Sequence, residues 1–455
     1  MPDCPNILIA GMGHGGLAPL LREFDRGLQD RGFRSIVWAM GGGDCGLELL
    51  RDEGLWAYTP LRDHQILHFL DELPEQGYSP EHPRMQFYRA FEQGASPEAQ
   101  IGCEGLILIA RWGMLIRKQA MELLDVMQPA AMLVQSGIRL IEGILADLAR
   151  ERGIPLLFLE KGAFPSTVLV DDQGVGPLSL YGDALRWDNA GRKLSADEQA
   201  TLDAFRTRFR SQRASAWEQP KAADDLRARL GLSKNQGILF VPGQVRHDAN
   251  TVLYSPCYPD NESFLRHLLA ASEGLDLFVL AKPHPKESRD EGHLAALLKG
   301  RGAWLPELNV HDALEACNLV ACLNSTVGLE ALLYDKPVIC GARAFWAGKG
   351  FTFDLLDDAP QPALREFLNE APAPEAKLLD PFLYHLLSEG SYGEPAGPWS
   401  NMDALAARLA AMALPKPGNT EAACQWMAQA ETAALERELR NPADPQLLGL
   451  LPFFE

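Results

Sequence analysis

A short apolar run that ends in a dense polar cluster does most to limit how this chain can fold. Residues 237–250 read GILFVPGQVRHDAN, in which the apolar run Ile238 to Val241 is closed by Pro242 and Gly243. Such runs are typical of central strands in parallel sheets, because those strands are buried on both faces. The polar cluster that follows consists of Gln244, Arg246, His247, Asp248 and Asn250. Ligands of open α/β sheets bind past the carboxyl ends of the strands, so the cluster is a candidate site; the alternative is an ordinary polar loop.

Strands and helices alternate in two series, which predicts two α/β domains. At 455 residues the chain is too long to fold around one ordinary hydrophobic core, so two domains of roughly 200 residues each are expected. We predict Rossmann-like domains over residues 1–220 and 226–400 that face each other across a cleft. A helical tail over residues 401–455 is expected to pack on these domains.

The composition limits the kind of partner and the compartment. The net charge of -19 argues against nonspecific binding to nucleic acid or to an anionic membrane, because long-range repulsion opposes both. No apolar run is long enough for a membrane span, and the N-terminus lacks the features of a signal peptide. The eight cysteines are scattered without a C-x-x-C pair, as expected for reduced thiols. We therefore predict a cytoplasmic protein, which a partner could recruit to the inner-membrane face.

A glycine-rich loop near the N-terminus separates a predicted strand from a predicted helix. The strand Asn6 to Ala10 is followed by GMGHGG, which places glycines at 11, 13 and 16 in the dinucleotide-binding spacing. The acidic residue that should end the second strand is replaced by Gly41 to Gly43, which weakens an NAD(P) interpretation. The favoured interpretation is a turn in which Gly13 and His14 approach a sugar or phosphate in the cleft. A plain tight turn is the other alternative.

Two further strands of the second domain are also predicted to end in chemically useful residues. Leu275 to Ala281 is followed by Lys282-Pro283-His284-Pro285-Lys286, in which prolines fix the backbone around a histidine and two ammonium groups suited to an anion. Leu319 to Leu323 is followed by Asn324, Ser325 and Thr326 at the start of a helix. Hydroxyls and unpaired N–H groups at a helix start favour an anion, although a simple N-cap is the alternative.

Two acidic residues add to these strand ends. Glu330 lies one turn into the helix that starts at Ser325 and Thr326, where its carboxylate could accept hydrogen bonds from ribose hydroxyls. Glu160 ends a predicted strand of the first domain, as a catalytic group or as a solvated partner of Lys161. Together the features predict a phosphate-bearing nucleotide, as in nucleotide-sugar transferases with two facing Rossmann-like lobes. The spacing of His64 and His68 could bind a metal, but without a nearby third ligand we favour a helix face and predict no metal site.

Four blocks of the sequence resemble one known family. NSTVGLEALLYDKPVICGARAFWAGKGFT, VPGQVRHDANT, AKPHPKE and LEKGAFPSTVLVDDQGV resemble, in matching order, blocks of the bacterial capsular polysaccharide synthesis family of retaining β-Kdo transferases. The resemblance covers residues 160–352. Lys349 departs from it, because the family tends to carry tryptophan there, and residues 1–130 and 375–455 show no signature.

The resemblance implies a GT-B-like fold that uses CMP-β-Kdo as donor, with no cofactor, and transfers Kdo to a glycan or glycolipid acceptor in capsule or O-antigen synthesis. At the matching positions Asp248 would be the nucleophile, and Glu160 would act as acid/base or orient the sugar. His284 and Lys282 would stabilise the departing phosphate. The donor would also contact Gln244, Asn324, Ser325, Thr326 and Glu330. Charge alone suggests that Arg246 pairs with the Kdo carboxylate.

The sequence is also compatible with three other functions. The first is another nucleotide-dependent transferase of cell-surface polymer synthesis, such as an inverting sugar transferase or a glycerophosphate transferase. The second is the NAD(P)-dependent enzyme suggested by the N-terminal glycines. The third is a binding protein without catalytic activity that is built on the same scaffold.

Overall fold

The computed structural model describes two compact units of the chain. The described residues are 4–10, 18–38, 57–58, 117–138, 140–162, 164, 167–182, 187, 192–213, 215, 219–221, 225–245, 249–287, 291–356, 361–393, 401–415, 422–423, 425–426 and 429. The first unit comprises Met1–Lys161, Val168–Val175 and Tyr392–Glu455, and the second comprises Gly162–Thr167 and Gly176–Ser391. The chain therefore passes between the units near residues 161, 167, 175 and 391, whereas the sequence predicted a boundary between residues 220 and 226.

The strands belong to two sheets. In chain order they are β1 (Asn6–Ala10), β2 (Arg34–Trp38), β3 (Ala57–Tyr58), β4 (Ala131–Gln135), β5 (Leu156–Lys161), β6 (Val168–Asp171), β7 (Gly237–Pro242), β8 (Leu277–Lys282), β9 (Gly302–Trp304), β10 (Leu319–Cys322), β11 (Val338–Cys340), β12 (Phe353–Asp354) and β13 (Ser391–Tyr392).

Helices follow most of these strands. They are α1 (Ala18–Asp30), α2 (Leu140–Glu151), α3 (Ala196–Gln212), α4 (Leu226–Arg229), α5 (Ala249–Tyr254), α6 (Asn261–Ala271), α7 (Leu294–Leu298), α8 (Val310–Ala316), α9 (Thr326–Leu333), α10 (Gln361–Glu370), α11 (Ala376–His385) and α12 (Met402–Met412). Residues 117–127 are also helical, and Leu386–Gly390 forms a π-helical turn. No helix within the described residues is long and apolar enough to span a bilayer.

The sheet of the first unit has seven strands in the order β13-β6-β5-β4-β1-β2-β3. Strands β1 to β5 pair in parallel, and β6 pairs antiparallel with β5. All residues of β1 and β4 are buried, as expected for central strands that are covered on both faces. Along β1, Leu8 and Ala10 pack into one apolar cluster while Ile7 and Ile9 pack into another, so the sheet separates two cores.

The sheet of the second unit has six strands, all parallel, in the order β12-β11-β10-β7-β8-β9. Its first strand, β7, lies at the centre, and the strand order reverses between β7 and β10. Open α/β sheets bind ligands at such a switch point. The prediction of an α/β fold with two Rossmann-like units is thereby confirmed.

Helix α3 belongs with the second unit, whereas the sequence predicted a first domain over residues 1–220 that would contain it. A capping box starts the helix: Ser195 Oγ accepts from Glu198 N at 3.3 Å, and Glu198 Oε2 accepts from Ser195 N at 2.8 Å. Its apolar face buries Leu202, Phe205 and Phe209. Arg206 pairs with Asp380 at 2.6 Å, and both side chains are largely buried. These contacts tie α3 to elements far along the chain.

Helix α12 of the predicted tail completes the first unit. Leu405 and Leu409 are fully buried in the same cluster as Phe24 and Leu28 of α1. Arg31, the residue after α1, also forms a two-bond ion pair with Asp403, at 2.5 and 3.0 Å. This part of the tail is therefore a component of a Rossmann-like core.

Candidate active site

Three neighbouring strands of the second unit bring the predicted site residues to one edge of the sheet. Phe240 of β7 pairs with Val320 of β10, and Pro242 pairs with Lys282 of β8. Because the strands are parallel, their carboxyl ends lie at the same edge. Gln244, Asn324 and His284 each lie two residues beyond one of these strand ends.

Gln244 and Asn324 bond to each other across the switch point. Gln244 Nε2 donates to Asn324 Oδ1 at 3.2 Å, and Asn324 Nδ2 donates to the carbonyl of Asn250 at 2.8 Å. Both side chains are buried. The sequence predicted that these two side chains contact the sugar nucleotide. In the structure their amides hold the strand ends together and fix the backbone at Asn250.

Asn261, at the start of α6, extends this network and was not predicted as a site residue. Its Oδ1 accepts from Gln244 N at 2.9 Å, and its Nδ2 donates to Gln244 O at 2.8 Å and to Glu291 Oε1 at 2.9 Å. The sequence shows Asn261 only as the first residue of a helix that Asp260 caps. Its pairing with the loop after β7 depends on tertiary packing, which no local pattern reveals.

Lys282 is a buried cation at the end of β8. Only 5% of the residue is exposed, and Nζ donates to the carbonyl of Leu308 at 2.6 Å. Burial lowers the pKa of the Lys282 ammonium group, and the Glu307 carboxylate opposes that shift. A Cβ at Gly243 would lie 3.0 Å from the Lys282 carbonyl, so glycine allows the two strand ends to approach closely.

His284 is oriented by its own loop. Its Nδ1 lies 3.0 Å from the backbone N of Lys286, which donates to it. A neutral imidazole that accepts at Nδ1 carries its proton on Nε2. The ring is therefore set to donate a hydrogen bond from Nε2 to an anion.

The start of α9 combines a cap with an exposed hydroxyl residue. Ser325 is buried, and its Oγ accepts from Val327 N at 3.3 Å, so it is the N-cap. Thr326, the first helical residue, is exposed. The sequence predicted the same role for both hydroxyl groups, but in the structure Ser325 is buried and Thr326 is exposed.

Glu330 is a buried carboxyl group on α9. It is 3% exposed, and Oε2 has no hydrogen-bond partner in the described part of the chain. Burial raises the pKa of Glu330 to about 8, because a charge is costly away from water. A carboxyl group in this state can donate a hydrogen bond as well as accept one, which suits a sugar hydroxyl.

Glycine at 328 lets α9 lie close to its support. A Cβ there would be 2.3 Å from the Trp346 ring and 2.8 Å from the Cys322 sulfur. Trp346 is fully buried. This packing fixes the helix that carries Ser325 and Glu330.

Two cavities meet at the Lys-Pro-His-Pro segment of residues 282–285. The smaller, about 40 Å³, is lined by Gly243, Ser325, Thr326, Glu330 and Gln219, among others. The larger, about 460 Å³, is lined by Glu287, Glu291, Trp304 and Glu307, among others. Residues 282–285 line both. The sequence predicted Lys282, His284, Ser325, Thr326 and Glu330 of the smaller cavity as site residues, but not Gln219. It also missed Trp304 and Glu291 of the larger cavity, which lie in a short strand and an irregular loop.

Glu160 lies in the first unit, at the end of β5. It pairs with Leu169 of β6, and its Oε1 accepts from the backbone N of Lys161 at 3.1 Å. The side chain is half-buried. The structure therefore places Glu160 at a strand end, as the sequence predicted.

Several predicted residues lie outside the described part of the chain. These are Gly13, His14, Arg246 and Asp248, together with the pair His64 and His68. Their roles stay predictions. Within the residues that the structure does describe, no three His, Cys, Asp or Glu side chains are grouped to hold a metal ion.

Comparison with known proteins identifies the family of the second unit. Residues 196–390 match the family model described as "Capsule polysaccharide biosynthesis protein". The family predicted from the four sequence blocks is thereby confirmed, for this segment, as a capsule polysaccharide synthesis family. The match includes β7 to β12 and every residue that lines the two cavities.

Curated relatives share this part of the chain. The capsule polysaccharide modification protein LipA of Neisseria meningitidis serogroup B is 27% identical over 226 residues, which cover 47% of this chain and 31% of LipA. The lipopolysaccharide-processing protein LpsZ of Rhizobium meliloti is 24% identical over 234 residues, which cover 46% of this chain and 50% of LpsZ. The chain thus spans half or less of the length of these two relatives.

Solved structures give a more distant likeness. A Thermosulfurimonas dismutans KpsC, described as a beta Kdo 2,4 transferase, is 17% identical and covers 62% of this chain and 87% of its own, with a TM-score of 0.42. The spinosyn rhamnosyltransferase SpnG is 14% identical and covers 89% of this chain and 99% of its own, with a TM-score of 0.35.

Proposed function

We propose, from the premise that residues 196–390 belong to the capsule polysaccharide biosynthesis family, that this chain is a glycosyltransferase of bacterial surface polysaccharide synthesis. It takes Kdo from CMP-β-Kdo and transfers it, with retention, to a glycan or glycolipid acceptor. One observation supports this proposal most: three strand ends of the second unit surround a cavity that offers a buried cation, a helix start and a buried carboxyl group.

The second unit binds the CMP part of the donor. The single phosphate of CMP lies at the start of α9, near the hydroxyl of Thr326, the ammonium group of Lys282 and the Nε2 of His284. A helix start favours an anion because its backbone N–H groups and dipole point outward there. Glu330 contacts the ribose hydroxyls. These three kinds of group can carry the leaving phosphate, so the proposal requires no divalent metal.

Retention follows from two successive displacements. The Asp248 carboxylate attacks the anomeric carbon of Kdo, and the bond to CMP breaks with its electron pair on the phosphate oxygen. The acceptor hydroxyl then attacks the same carbon, gives its proton to Glu160 and releases the Asp248 carboxylate. Each displacement inverts the centre, so the product keeps the β configuration. Arg246 pairs with the carboxylate of Kdo during both steps.

The assay supplies CMP-Kdo from an in situ source and measures CMP release and acceptor mass. Rhamnose-, galactose- and lipid-terminated acceptors are offered in turn to the full chain. We expect CMP release that depends on acceptor and a product heavier by one or more Kdo residues. Absence of CMP release with every acceptor would count against the proposal, and release of another nucleotide or of glycerophosphate products would favour a different transferase.

Asp248→Asn tests the nucleophile separately from donor binding. We expect transfer to be lost while calorimetric affinity for CMP stays near that of the wild type, because the amide keeps the size of the carboxylate but is not nucleophilic. A variant with full transfer activity would contradict the assigned role. A loss of CMP binding would instead give Asp248 a role in holding the nucleotide.

A further inference from the structure

The larger cavity of the second unit adjoins the proposed phosphate site but has a different chemistry. Residues 282–285 line both cavities, so the larger space lies beside the start of α9 along that segment. The volume of about 460 Å³ lies within the range of ligand pockets. The larger cavity is thus near enough to the proposed phosphate site to take another part of the same molecule.

One side of this cavity is suited to a flat ring. Trp304, at the end of β9, is half-buried and lines it. Four prolines add further apolar surface: Pro220, Pro283, Pro285 and Pro306. Nucleobases stack on aromatic side chains, and loss of one such contact lowers affinity roughly ten- to a hundredfold.

The polar groups of the cavity are mainly carboxylates. Glu287, Glu291 and Glu307 line it, whereas Lys282 lies at the side shared with the smaller cavity. Carboxylates repel a phosphate and accept hydrogen bonds from amines. This distribution of charge assigns the phosphate to the Lys282 side and an amino-bearing group to the larger cavity.

Glu291 is the carboxylate with a fixed position and incomplete hydrogen bonding. Its Oε1 accepts from Asn261 Nδ2 at 2.9 Å, while Oε2 is enclosed and has no hydrogen-bond partner within the described residues. Burial is the main cause that raises the pKa of Glu291. A small rotation of the carboxylate toward a ligand amine would give Oε2 the hydrogen bond that it lacks.

We infer that this cavity receives the nucleobase of the donor, with Trp304 as the stacking surface and Glu291 as the residue that selects cytosine over uracil. The inference rests on the proposed function, which supplies the nucleotide. Cytosine presents an exocyclic amine that a carboxylate can accept from, whereas uracil presents a carbonyl oxygen at the same position. A site built to bond the amine leaves its own carboxylate unpaired against uracil.

Calorimetric titration of the full chain with CMP and with UMP tests both roles. The wild type should bind CMP about tenfold or more tightly than UMP. Glu291→Gln keeps an oxygen for Asn261 and gains an amide donor for the uracil carbonyl, so the ratio of the two affinities should narrow severalfold. Trp304→Ala should weaken both nucleotides about tenfold or more, and Trp304→Phe should restore most of the loss. Glu262→Gln, a change at a surface carboxylate paired with Arg266 and His293, should alter neither affinity.

The outcomes separate this inference from the proposed function. Tight CMP binding with an unchanged CMP-to-UMP ratio in a folded Glu291→Gln variant would overturn the role of Glu291. Unchanged affinities in a folded Trp304→Ala variant would overturn the placement of the base. A wild type that binds neither nucleotide would overturn the proposed function, and this inference with it.

Discussion

At the scale of single residues, Glu330 makes the stability of the second unit depend on pH. Its pKa is raised from 4.5 to about 8 by burial, so the unfolded chain releases this proton at a lower pH than the folded chain does. The contribution of Glu330 to the free energy of unfolding is therefore complete below pH 4.5, the unfolded pKa. It falls as the pH rises from there toward 8, by at most about 1.4 kcal/mol per pH unit. Thermal midpoints at pH 5.5, 6.5 and 7.5 should fall more for the wild type than for Glu330→Gln. Parallel pH profiles of the two proteins would contradict the assignment.

The two hydroxyl residues at the start of α9 should separate stability from ligand binding. Ser325 caps the helix, so Ser325→Ala should lower the free energy of unfolding by about 1 kcal/mol. Thr326→Val keeps the shape of an exposed residue and should leave stability unchanged while it weakens calorimetric CMP binding severalfold. If Thr326→Val binds CMP as the wild type does, the hydroxyl of Thr326 makes no contact with the nucleotide.

Lys349, the departure from the family resemblance, is accommodated by local contacts. Its Nζ donates to the carbonyls of Phe345 and Ala347 at 2.9 and 2.8 Å, and lies 5.3 Å from the centre of the Phe382 ring. An ammonium group near the face of an aromatic ring is attracted to the electrons of that ring. The lysine thus closes the loop over α11 within the second unit.

At the scale of elements, the packing of α9 on Trp346 should tolerate no side chain at position 328. Gly328→Ala places a methyl group 2.3 Å from the ring, and overpacking of this kind costs about 1–3 kcal/mol. We expect a lower thermal midpoint and weaker CMP binding, because the helix that carries Ser325 and Glu330 must shift. Gly143→Ala in α2 is the matched control, since the nearest atom to its Cβ is the Gly137 carbonyl at 3.4 Å. An equal response of the two variants would argue against a special role for position 328.

The strands and the polar residues at their ends could be predicted from the sequence, but the side-chain contacts between distant elements could not. The apolar run Ile238 to Val241 lies within β7, and the three strand ends lie on adjacent strands, because burial on both faces leaves a direct mark on sequence. The contacts of Asn261 and Glu291, and the addition of α3 to the second unit through Arg206 and Asp380, join residues far apart in the chain. Such pairings leave no periodic pattern that could be read before the fold is known.

At the scale of the whole molecule, a core mutation in the first unit should leave nucleotide binding intact. Leu409 of α12 is fully buried, and Leu409→Ala should cost about 2–5 kcal/mol of stability. All residues proposed to hold CMP belong to the second unit, so CMP affinity at 20 °C, measured by calorimetry, should change little. The exposed Ala411→Ser is the control for stability. A matching loss of CMP affinity in Leu409→Ala would show that the units are energetically coupled.

The return of the chain to the first unit has a consequence for biosynthesis. Helix α12 supplies Leu405 and Leu409 to the core that α1 begins, and the whole second unit lies between them in sequence. During translation, α1 leaves the ribosome long before its partner helix exists. Domains generally fold as units while the nascent chain emerges, so the second unit can reach its native state while the first still exposes apolar surface. The first unit therefore begins to be made first but completes its core last, and we expect it to depend on chaperones more than the second unit does.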